Sequence, residues 1–478
     1  MNMLQHNPAA IAEAASYAAS HGLVMARSKD VTTGTQIVHA PLTFSPTPFH
    51  APSYRHAIRI TPALNTLVNR IANDHAYLRH TLAQTAQADP FTARLLAMLD
   101  HVPPVNRGVQ LSIVRYDYFM HASAHDAYEL RMVEMNCIAA SYICLGTKMS
   151  AMHRFMATHP ATRLHLQLDK LPANDAMHAI PKGLAAAHHA FVRTQLAGQS
   201  NNVVLVMIVQ AGDTNSYDQD LLRNTLWEKH QLNMIRLSLS DIHAYASLQS
   251  DSTLLLDVPN YPQPLIASVV YFRAAYTPHD YPTDHHWQAR TLIEKSNTVK
   301  CPSVAMQLVG TKRIQQVLDE PGRLERFLPT EDAHQVRATF ARQYAFTSDE
   351  TSETLVKKAI ANPQDYVLKP QREGGGNNLY SQQLKNALST MSPQQRSAFV
   401  LMDRIRPPQF TNVIIRDGVA KLDEVVSELG VFGVYVSVDG REQDNYDAGI
   451  LLRSKPAATD DGGVSAGVAL LDSPLLFD

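Results

Sequence analysis

The sequence predicts an α/β protein with a mixed β-sheet. Three observations indicate this class: helical periodicity in the N-terminal part, apolar strands that alternate with a helix in the middle, and strands with turn signals towards the end. At 478 residues the chain exceeds the roughly 250 to 300 residues over which a single core grows, so two or three lobes are expected.

The N-terminal part of the chain is predicted to be mainly helical. From about residue 12 to residue 100, apolar residues recur three and four positions apart, as in LNTLVNRIANDHAYLRHTLAQT. Two segments rich in strand formers follow, residues 111–120 and 128–137, with the polar HASAHDA between them. This pattern predicts a hairpin with a longer loop.

The middle of the chain is predicted to hold a separate unit. Residues 201–210 and 267–276 form two nearly continuous apolar strands, and QDLLRNTLWEKHQL between them is helix-like. Buried strands that alternate with a helix predict a parallel α/β unit of roughly residues 201–302. This unit would be inserted into a discontinuous body made of residues 1–200 and 303–478, whose last third carries the turn signals Asp417-Gly418, Asp439-Gly440 and Asp461-Gly462-Gly463.

Composition points to a small-molecule ligand rather than a macromolecular one. The formal charge is -2, and no block of like charge is present that would suit a nucleic acid or an anionic membrane. Three cysteines without C-x-x-C spacing favour a reducing compartment, in which they are small buried side chains. The N-terminus has no basic segment and no run of 18 apolar residues occurs, so a cytoplasmic protein is expected.

The run YVLKPQREGGGNNLY is the first candidate for chemistry. YVLKP predicts a short strand that ends at Pro370 and places Lys369 beside the glycines. Glycines let successive N–H groups approach an anion, so the loop suits a phosphate. It lacks the G-K-[ST] ending of a Walker A motif, and a plain flexible connector is the alternative.

Glu134 and Asn136 are the candidate metal ligands. They stand two apart in a strand-like segment and therefore share a face, where two oxygen donors suit Mg²⁺; the alternative is the polar alternation of a half-exposed strand. Arg115, Arg273 and Arg453, with Lys455, are candidate anion clamps. The histidines at 279, 285 and 286 lack a compact ligand spacing, and the common hydrolase, metalloprotease and dinucleotide motifs are missing.

Six stretches of the chain resemble the eukaryotic-type glutathione synthetases, in the same order and with similar spacing. They are YVLKPQREGGGNNLY, VSELGVFGVYV, LLRSK followed by DGGVSAGVALLD, KCPSVAMQLVGTKRIQQ, VVYFR and FTARLL. The resemblance runs from about residue 10 to the C-terminus. It implies an ATP-grasp fold with a glycine-rich lid at about residues 340–410, a homodimer, and an ATP- and Mg²⁺-dependent ligase that joins γ-glutamylcysteine to glycine. No nucleic acid and no membrane partner are expected.

The resemblance also implies roles for individual residues. The expected Mg²⁺ ligands are Glu134, Asn136 and Glu373. The residues expected around ATP are Glu134, Lys312, Lys369, Glu373, Gly374, Gly375, Gly376, Asn377, Asn378, Tyr380, Met402, Asp403, Arg404, Ile405, Glu428 and Lys455. The residues expected around the dipeptide, the substrate carboxylates and glycine are Arg115, Ser141, Asp213, Asn215, Gln219, Arg273, Tyr276, Arg453, Val464 and Ser465. Catalysis is expected to depend on Arg115, Lys312, Lys369 and Arg453.

Five positions depart from the family pattern. Ala139 stands where a second serine is usual, Asp213 replaces a usual Glu, and Ala274-Ala275 replace a usual Asp-Gly. Ser465 replaces the first alanine of the last glycine loop. The departures leave the ATP and metal set intact and concern dipeptide affinity and the identity of the second substrate.

The residue types suit an acyl-phosphate route that needs no side-chain nucleophile. An acyl phosphate must be shielded from water, so the glycine run is interpreted as a lid that closes on the nucleotide phosphates. Three functions remain open: glutathione synthetase, the same ligase with another amine such as β-alanine, and a nucleotide-binding regulator without turnover.

Overall fold

The structure is a computed structural model. It describes residues 7–28, 36–102, 108–122, 127–162, 164, 166–198, 201–346, 350–370, 378–460, 462–464 and 467–478.

The described part of the chain alternates helices and strands throughout. In chain order the helices α1 to α15 are Pro8–Ser20, Ala51–Ala72, His75–Ala88, Pro90–Met98, Ile143–Thr158, Ala176–Gln195, Ser216–His230, Leu239–Tyr245, Asp284–Lys295, Val304–Val309, Lys312–Leu318, Thr330–Arg337, Glu350–Ala361, Ser381–Thr390 and Pro393–Arg396. The strands β1 to β21 are Val24–Ala26, Ile37–His39, Leu42–Thr43, Thr47–His50, Val109–Ala122, Tyr128–Asn136, Val203–Ile208, Met234–Leu237, Ala246–Leu248, Leu254–Leu256, Leu265–Phe272, Val299–Cys301, Gln343–Ala345, Tyr366–Pro370, Leu379–Tyr380, Phe399–Asp403, Phe410–Arg416, Val419–Val438, Arg441–Pro456, Leu470–Asp472 and Pro474–Phe477. The predicted mixed α/β class is confirmed.

The largest sheet of the described residues has seven strands in the order β17-β3-β20-β19-β18-β5-β6. Its centre is the long antiparallel pair β18 and β19, which turns at Asp439-Gly440, where both residues have positive φ. Asp417-Gly418 makes the same kind of turn between β17 and β18. Asp-Gly is favoured there because the mirror-image turns of tight hairpins need positive φ, so both predicted turns are confirmed.

Strands β5 and β6 form the predicted hairpin. They pair antiparallel, and the register places Arg115 opposite Asn136 and Asp117 opposite Glu134. On its other edge β5 pairs with β18, which places Gly430 opposite Asp117. The register therefore gathers polar side chains from three strands on one face of the sheet.

A second sheet spans residues 203–301. Its strands run in the order β8-β7-β11-β10-β9, and β12 also pairs with β11. Strand β7 is parallel to β8 and β11, and β12 is parallel to β11, as predicted for a buried α/β unit. The short antiparallel strands β9 and β10 are additions that the sequence pattern did not indicate. The domain boundaries at 200 and 303 remain predictions.

A third sheet, with the order β13-β16-β14-β15, is antiparallel and carries α13 and α14. A small core of its own holds it together, with Phe346, Val356, Leu368, Leu384 and Leu401 buried. Strand β14 is the predicted YVLKP strand, which places Lys369 next to its end. Among the described residues, no helix has both the length and the apolar character that a membrane crossing requires.

Candidate functional site

A cleft of about 420 Å³ lies between the four-stranded sheet and the seven-stranded sheet. It is named the central cleft here. Ten of the residues expected around ATP line it: Glu134, Lys369, Asn378, Tyr380, Met402, Asp403, Arg404, Ile405, Glu428 and Lys455. The fold thus brings together residues that are more than 300 positions apart in the chain. Glu373, Gly374, Gly375, Gly376, Asn377 and Ser465, which were also predicted to belong to the site, lie outside the described residues.

Two lysines from different lobes converge on Glu134 at one wall of the cleft. Lys312, the first residue of α11, donates to Glu134 Oε2 at 2.9 Å. Lys369 Nζ reaches the carbonyl of neighbouring Val133 at 3.4 Å. Burial by itself raises the pKa of Glu134, but the ammonium groups of Lys312 and Lys369 outweigh that effect and lower the pKa to about 2. Glu134 is therefore a carboxylate at neutral pH, with concentrated positive charge beside it.

The donor set at Glu134 and Asn136 fits a hard divalent cation. Asn136 donates through Nδ2 to Asp117 and to the carbonyl of Arg115, which leaves the amide oxygen as its acceptor end. One anionic carboxylate with one amide oxygen is a typical partial set for Mg²⁺, which takes its other ligands from phosphates and water. Among the described residues, no group of three or more His, Cys, Asp and Glu side chains is placed to hold a metal, the histidines around residue 285 included.

The centre of the polar cluster is Asp117, which sequence reasoning missed. Its side chain is fully buried and accepts from Arg115 Nε at 2.7 Å and Nη2 at 2.8 Å. It also accepts from Arg453 Nη2 at 2.8 Å and from Asn136 Nδ2 at 2.9 Å. Arg453 Nη2 also donates to Glu428 at 2.8 Å. The pKa of Glu428 lies above its ordinary value, because burial raises it by more than Arg453 lowers it. The two predicted clamps Arg115 and Arg453 are thus held by one carboxylate.

The opposite wall of the cleft is the segment that follows β16. Arg404 lies over the ring of Tyr380 at 5.5 Å and bonds to Asp460 at 2.7 Å. Lys455 donates to the carbonyl of the same Asp460 at 2.6 Å. Asp460 therefore connects the four-stranded sheet to the last glycine loop across the mouth of the cleft. Val464, in that loop, is buried.

A second polar cluster, named the Arg273 pocket, lies where β7 and β11 end. Arg273 follows β11 and pairs with the fully buried Asp218 at 3.2 Å. The Asp218 carboxylate also accepts the backbone N–H groups of Tyr142, Cys144 and Leu145, at 2.9, 2.8 and 3.1 Å. Asp218 was not predicted; it replaces the side-chain cap that α5 lacks at Tyr142.

Two residues of the Arg273 pocket carry buried polar atoms without partners among the described residues. Asn215 is 2 % exposed, yet neither its Nδ2 nor its Oδ1 forms a hydrogen bond with a described residue. Arg273 Nε is also buried and has no such partner. Asp213 accepts from the Asn215 N–H at 2.9 Å and from Gln219 Nε2 at 2.8 Å, which fixes the loop. Since native proteins satisfy nearly all buried polar groups, a polar ligand is the expected partner of Asn215 and Arg273.

The chain segment 137–142 joins the two clusters. It leads from Asn136 at the Asp117 carboxylate to Tyr142 at the Asp218 carboxylate and contains the predicted Ser141. The carbonyl of Ala140 accepts from Tyr271 in β11 at 3.2 Å. Tyr276, the last predicted residue of this group, follows Arg273 by three positions and is partly buried.

Ala275 is strained where the family has glycine. Its φ is +73°, a region that costs a residue with a Cβ roughly 1 to 2 kcal/mol. Hydrogen bonds from Gln307 Nε2 at 3.0 Å and from the Tyr281 hydroxyl at 3.3 Å hold its carbonyl in place. The departure from Asp-Gly therefore has a conformational cost at the edge of the Arg273 pocket.

We expect Ala275→Gly to stabilise the protein by up to about 1 kcal/mol, because relief of the strain exceeds the added entropy of the unfolded chain. Both tryptophans, Trp227 and Trp287, lie within residues 203–301, so urea unfolding followed by fluorescence reports on this unit. The matched control is Ala274→Gly, which relieves no positive φ and should lower the midpoint. A lower midpoint for Ala275→Gly would contradict the strain argument.

Comparisons with known proteins agree with this geometry. The family model of the eukaryotic glutathione synthase ATP-binding domain matches residues 5–476. The chain is 36% identical over 446 residues to the chloroplastic glutathione synthetase of Solanum lycopersicum, covering 92% of this chain and 78% of that protein. It is 35% identical over 468 residues to the glutathione synthetase of Homo sapiens, covering 97% and 95% of the two chains.

A solved structure has the same fold. The glutathione synthetase-like effector of Globodera pallida in its apo form superposes with a TM-score of 0.77 over 99% of this chain and 98% of that chain, at 21% identity. The expected ATP-grasp fold class is thereby confirmed. From the match over nearly its whole length, the chain belongs to the eukaryotic glutathione synthase family.

Proposed function

We propose that the protein is an ATP-dependent ligase that joins γ-glutamylcysteine to glycine and releases ADP and phosphate. The observation that carries this proposal is the pairing of two sites. One is a cleft in which Lys312, Lys369 and Glu134 converge, as a nucleotide triphosphate with its cation requires. The other is the Arg273 pocket, whose unsatisfied Asn215 and Arg273 suit the amino-acid end of a dipeptide.

The residues of the central cleft suit the formation of an acyl phosphate. The cysteinyl carboxylate of the dipeptide attacks the terminal phosphorus of ATP, the phosphorus–oxygen bond to ADP breaks, and ADP leaves. Lys369 and Lys312 supply positive charge where negative charge develops, in a site that costs little reorganisation. Glu134 and Asn136 would hold Mg²⁺, which would supply Lewis-acid stabilisation of the phosphoryl group when bound.

The residues held by Asp117 suit the second step. The amine of glycine attacks the acyl carbon through a tetrahedral intermediate, and phosphate leaves. Arg453 and Arg115, both held by Asp117, are proposed to donate to the substrate carboxylates and to the developing oxyanion. The second glycine loop, with Val464 and Ser465, is proposed to border the incoming amine, and the lid at residues 374–376 remains a prediction.

Assembly, compartment and domain division are proposed from the family. A homodimer is expected, and sedimentation of the purified chain tests it. Cys137, Cys144 and Cys301 are all buried free thiols, which suits the proposed reducing, cytoplasmic location. Residues 201–302 are proposed as the substrate-binding unit, inserted into the body formed by the rest of the chain.

A coupled assay of ADP release decides between the open functions. With γ-glutamylcysteine, ATP and Mg²⁺, we expect ADP release to depend on added glycine and to form glutathione in a one-to-one ratio. The control is the same mixture with EDTA. Faster ADP release with β-alanine than with glycine would identify β-alanine as the acceptor. No ADP release with any amine would support a regulator without turnover.

A further inference from the structure

We propose that Asp117 is a positioning residue that aims Arg115, Arg453 and Asn136 together, so that both substrate carboxylates and the cation depend on one buried carboxylate. The inference rests on the proposed function for the roles of the three residues. Its geometric basis is that Asp117 accepts four hydrogen bonds from three strands: two from Arg115 of β5, one from Asn136 of β6 and one from Arg453 of β19.

The contacts decide which edge of each guanidinium stays available. Arg115 donates to Asp117 through its Nε–Nη2 edge, and its Nη1 donates to no described residue. Arg453 spends Nη2 on Asp117 and Glu428, and among described residues its Nε and Nη1 make no hydrogen bond. Because the guanidinium group is planar and rigid, these contacts also fix the direction of the remaining donors, which are the Nη1–Nη2 end of Arg115 and the separate Nε and Nη1 groups of Arg453.

The same carboxylate also orients the amide of Asn136. An amide group can be turned with either its oxygen or its nitrogen towards a partner. Asp117 Oδ2 accepts only, so Nδ2 of Asn136 must face it and the amide oxygen is presented at the other end, as a cation needs. A neutral replacement at 117 weakens that preference, because the carbonyl of Arg115 is then the remaining acceptor for Nδ2.

The fold reserves space for this arrangement. Asp117 and Arg115 pack against Gly430 of β18, where an added Cβ would lie 2.8 Å from Asp117 Oδ1 and 2.7 Å from Arg115 Cδ. Glycine at 430 is therefore required by the close approach of the two side chains, not by a turn. An alanine there displaces the cluster without a change of charge.

Asp117→Asn tests the inference. The variant keeps the shape of the side chain, but its amide nitrogen cannot accept the hydrogen bonds that one carboxylate oxygen of Asp117 accepts. We expect the Michaelis constants for dipeptide and acceptor to rise, kcat to fall, and kcat/KM for the dipeptide to drop about 100-fold, the size of loss that a small misplacement produces. The concentration of Mg²⁺ that half-saturates the ADP complex, measured by calorimetry, should rise in the same variant. ADP affinity at saturating Mg²⁺ should change less than about twofold, since the residues after β16 are unaffected.

Two further variants separate positioning from general disruption. Gly430→Ala should raise the same three constants, and Glu424→Gln, which changes an exposed carboxylate on the same strand β18, should leave the Mg²⁺ requirement unchanged. Unchanged Michaelis constants and Mg²⁺ requirement in a folded Asp117→Asn, or an equal loss of ADP affinity, would overturn the inference. Wild-type protein that is inactive with dipeptide and glycine would refute the proposed function instead, and the Mg²⁺ titration would still test Asp117.

Discussion

Lys369→Ala is expected to lower turnover by about 100-fold to 1000-fold, the range seen when one preorganised charge-stabilising group is removed. Lys369 is 6 % exposed, at the end of β14, and faces the backbone next to Glu134. Its ammonium is one of three positive charges that lower the pKa of Glu134, together with Lys312 and Arg453. In the proposed reaction this charge compensates the phosphoryl oxygens as the bond to ADP breaks, so its loss acts on the transition state.

Stability is expected to change much less in the same variant, by about 1 kcal/mol. Glu134 keeps the 2.9 Å contact with Lys312, so no carboxylate is left buried without a partner. The measurements are the rate of ADP release at saturating substrates and the midpoint of thermal unfolding. Lys385→Ala, an exposed lysine on α14 of the same lobe, is the matched control and should change neither. Equal losses of turnover and stability in Lys369→Ala would show that the residue is structural.

Asp218→Ala is expected to have the largest effect on folding, about 3 to 5 kcal/mol, which is typical for breaking a buried ion pair on one side. The change strands the guanidinium of Arg273, which is 4 % exposed, and removes the acceptor for three N–H groups at the start of α5. The KM for γ-glutamylcysteine should rise as well, because Arg273 loses the partner that holds it in the pocket.

Urea unfolding measured by tryptophan fluorescence suits this test, since Trp227 lies on the same helix as Asp218. Asp218→Asn keeps an acceptor and should lose less than Asp218→Ala. Asp213→Asn is the matched control, because this partly exposed carboxylate lies in the loop that precedes α7 and its loss should cost about 1 kcal/mol. A free energy of unfolding for Asp218→Ala within about 1 kcal/mol of the wild type would contradict the assigned role.

The local parts of the site were predictable from sequence, because each depends on a short pattern. Lys369 beside the glycines follows from the strand YVLKP and its Pro370, and Glu134 and Asn136 share a face because strand side chains alternate. Asp117 carried the same signal, two positions after Arg115, and could have been found by extending that alternation. Its partners Gly430 and Arg453 could not, since only the register of the seven-stranded sheet brings them together.

Asp218 had no detectable signal. By sequence it is one acidic residue in the first turn of α7, where acidic residues are common because they favour the helix dipole. Its actual partners belong to another helix and to Arg273, which no periodicity connects to it. Strands β9 and β10 were missed because three residues each are too few for a period to show.

The continuous segment 137–142 has a consequence for donor choice. One end of it follows Asn136, which the Asp117 carboxylate holds, and at the other end the Asp218 carboxylate accepts the N–H of Tyr142. With both ends fixed, the span between the reacting carboxylate and the groups that read the amino-acid head is set by the backbone itself. The proposed enzyme would then select its dipeptide substrate by length. A dipeptide that is one methylene longer or shorter could contact the groups at either end of the segment, but not at both ends together.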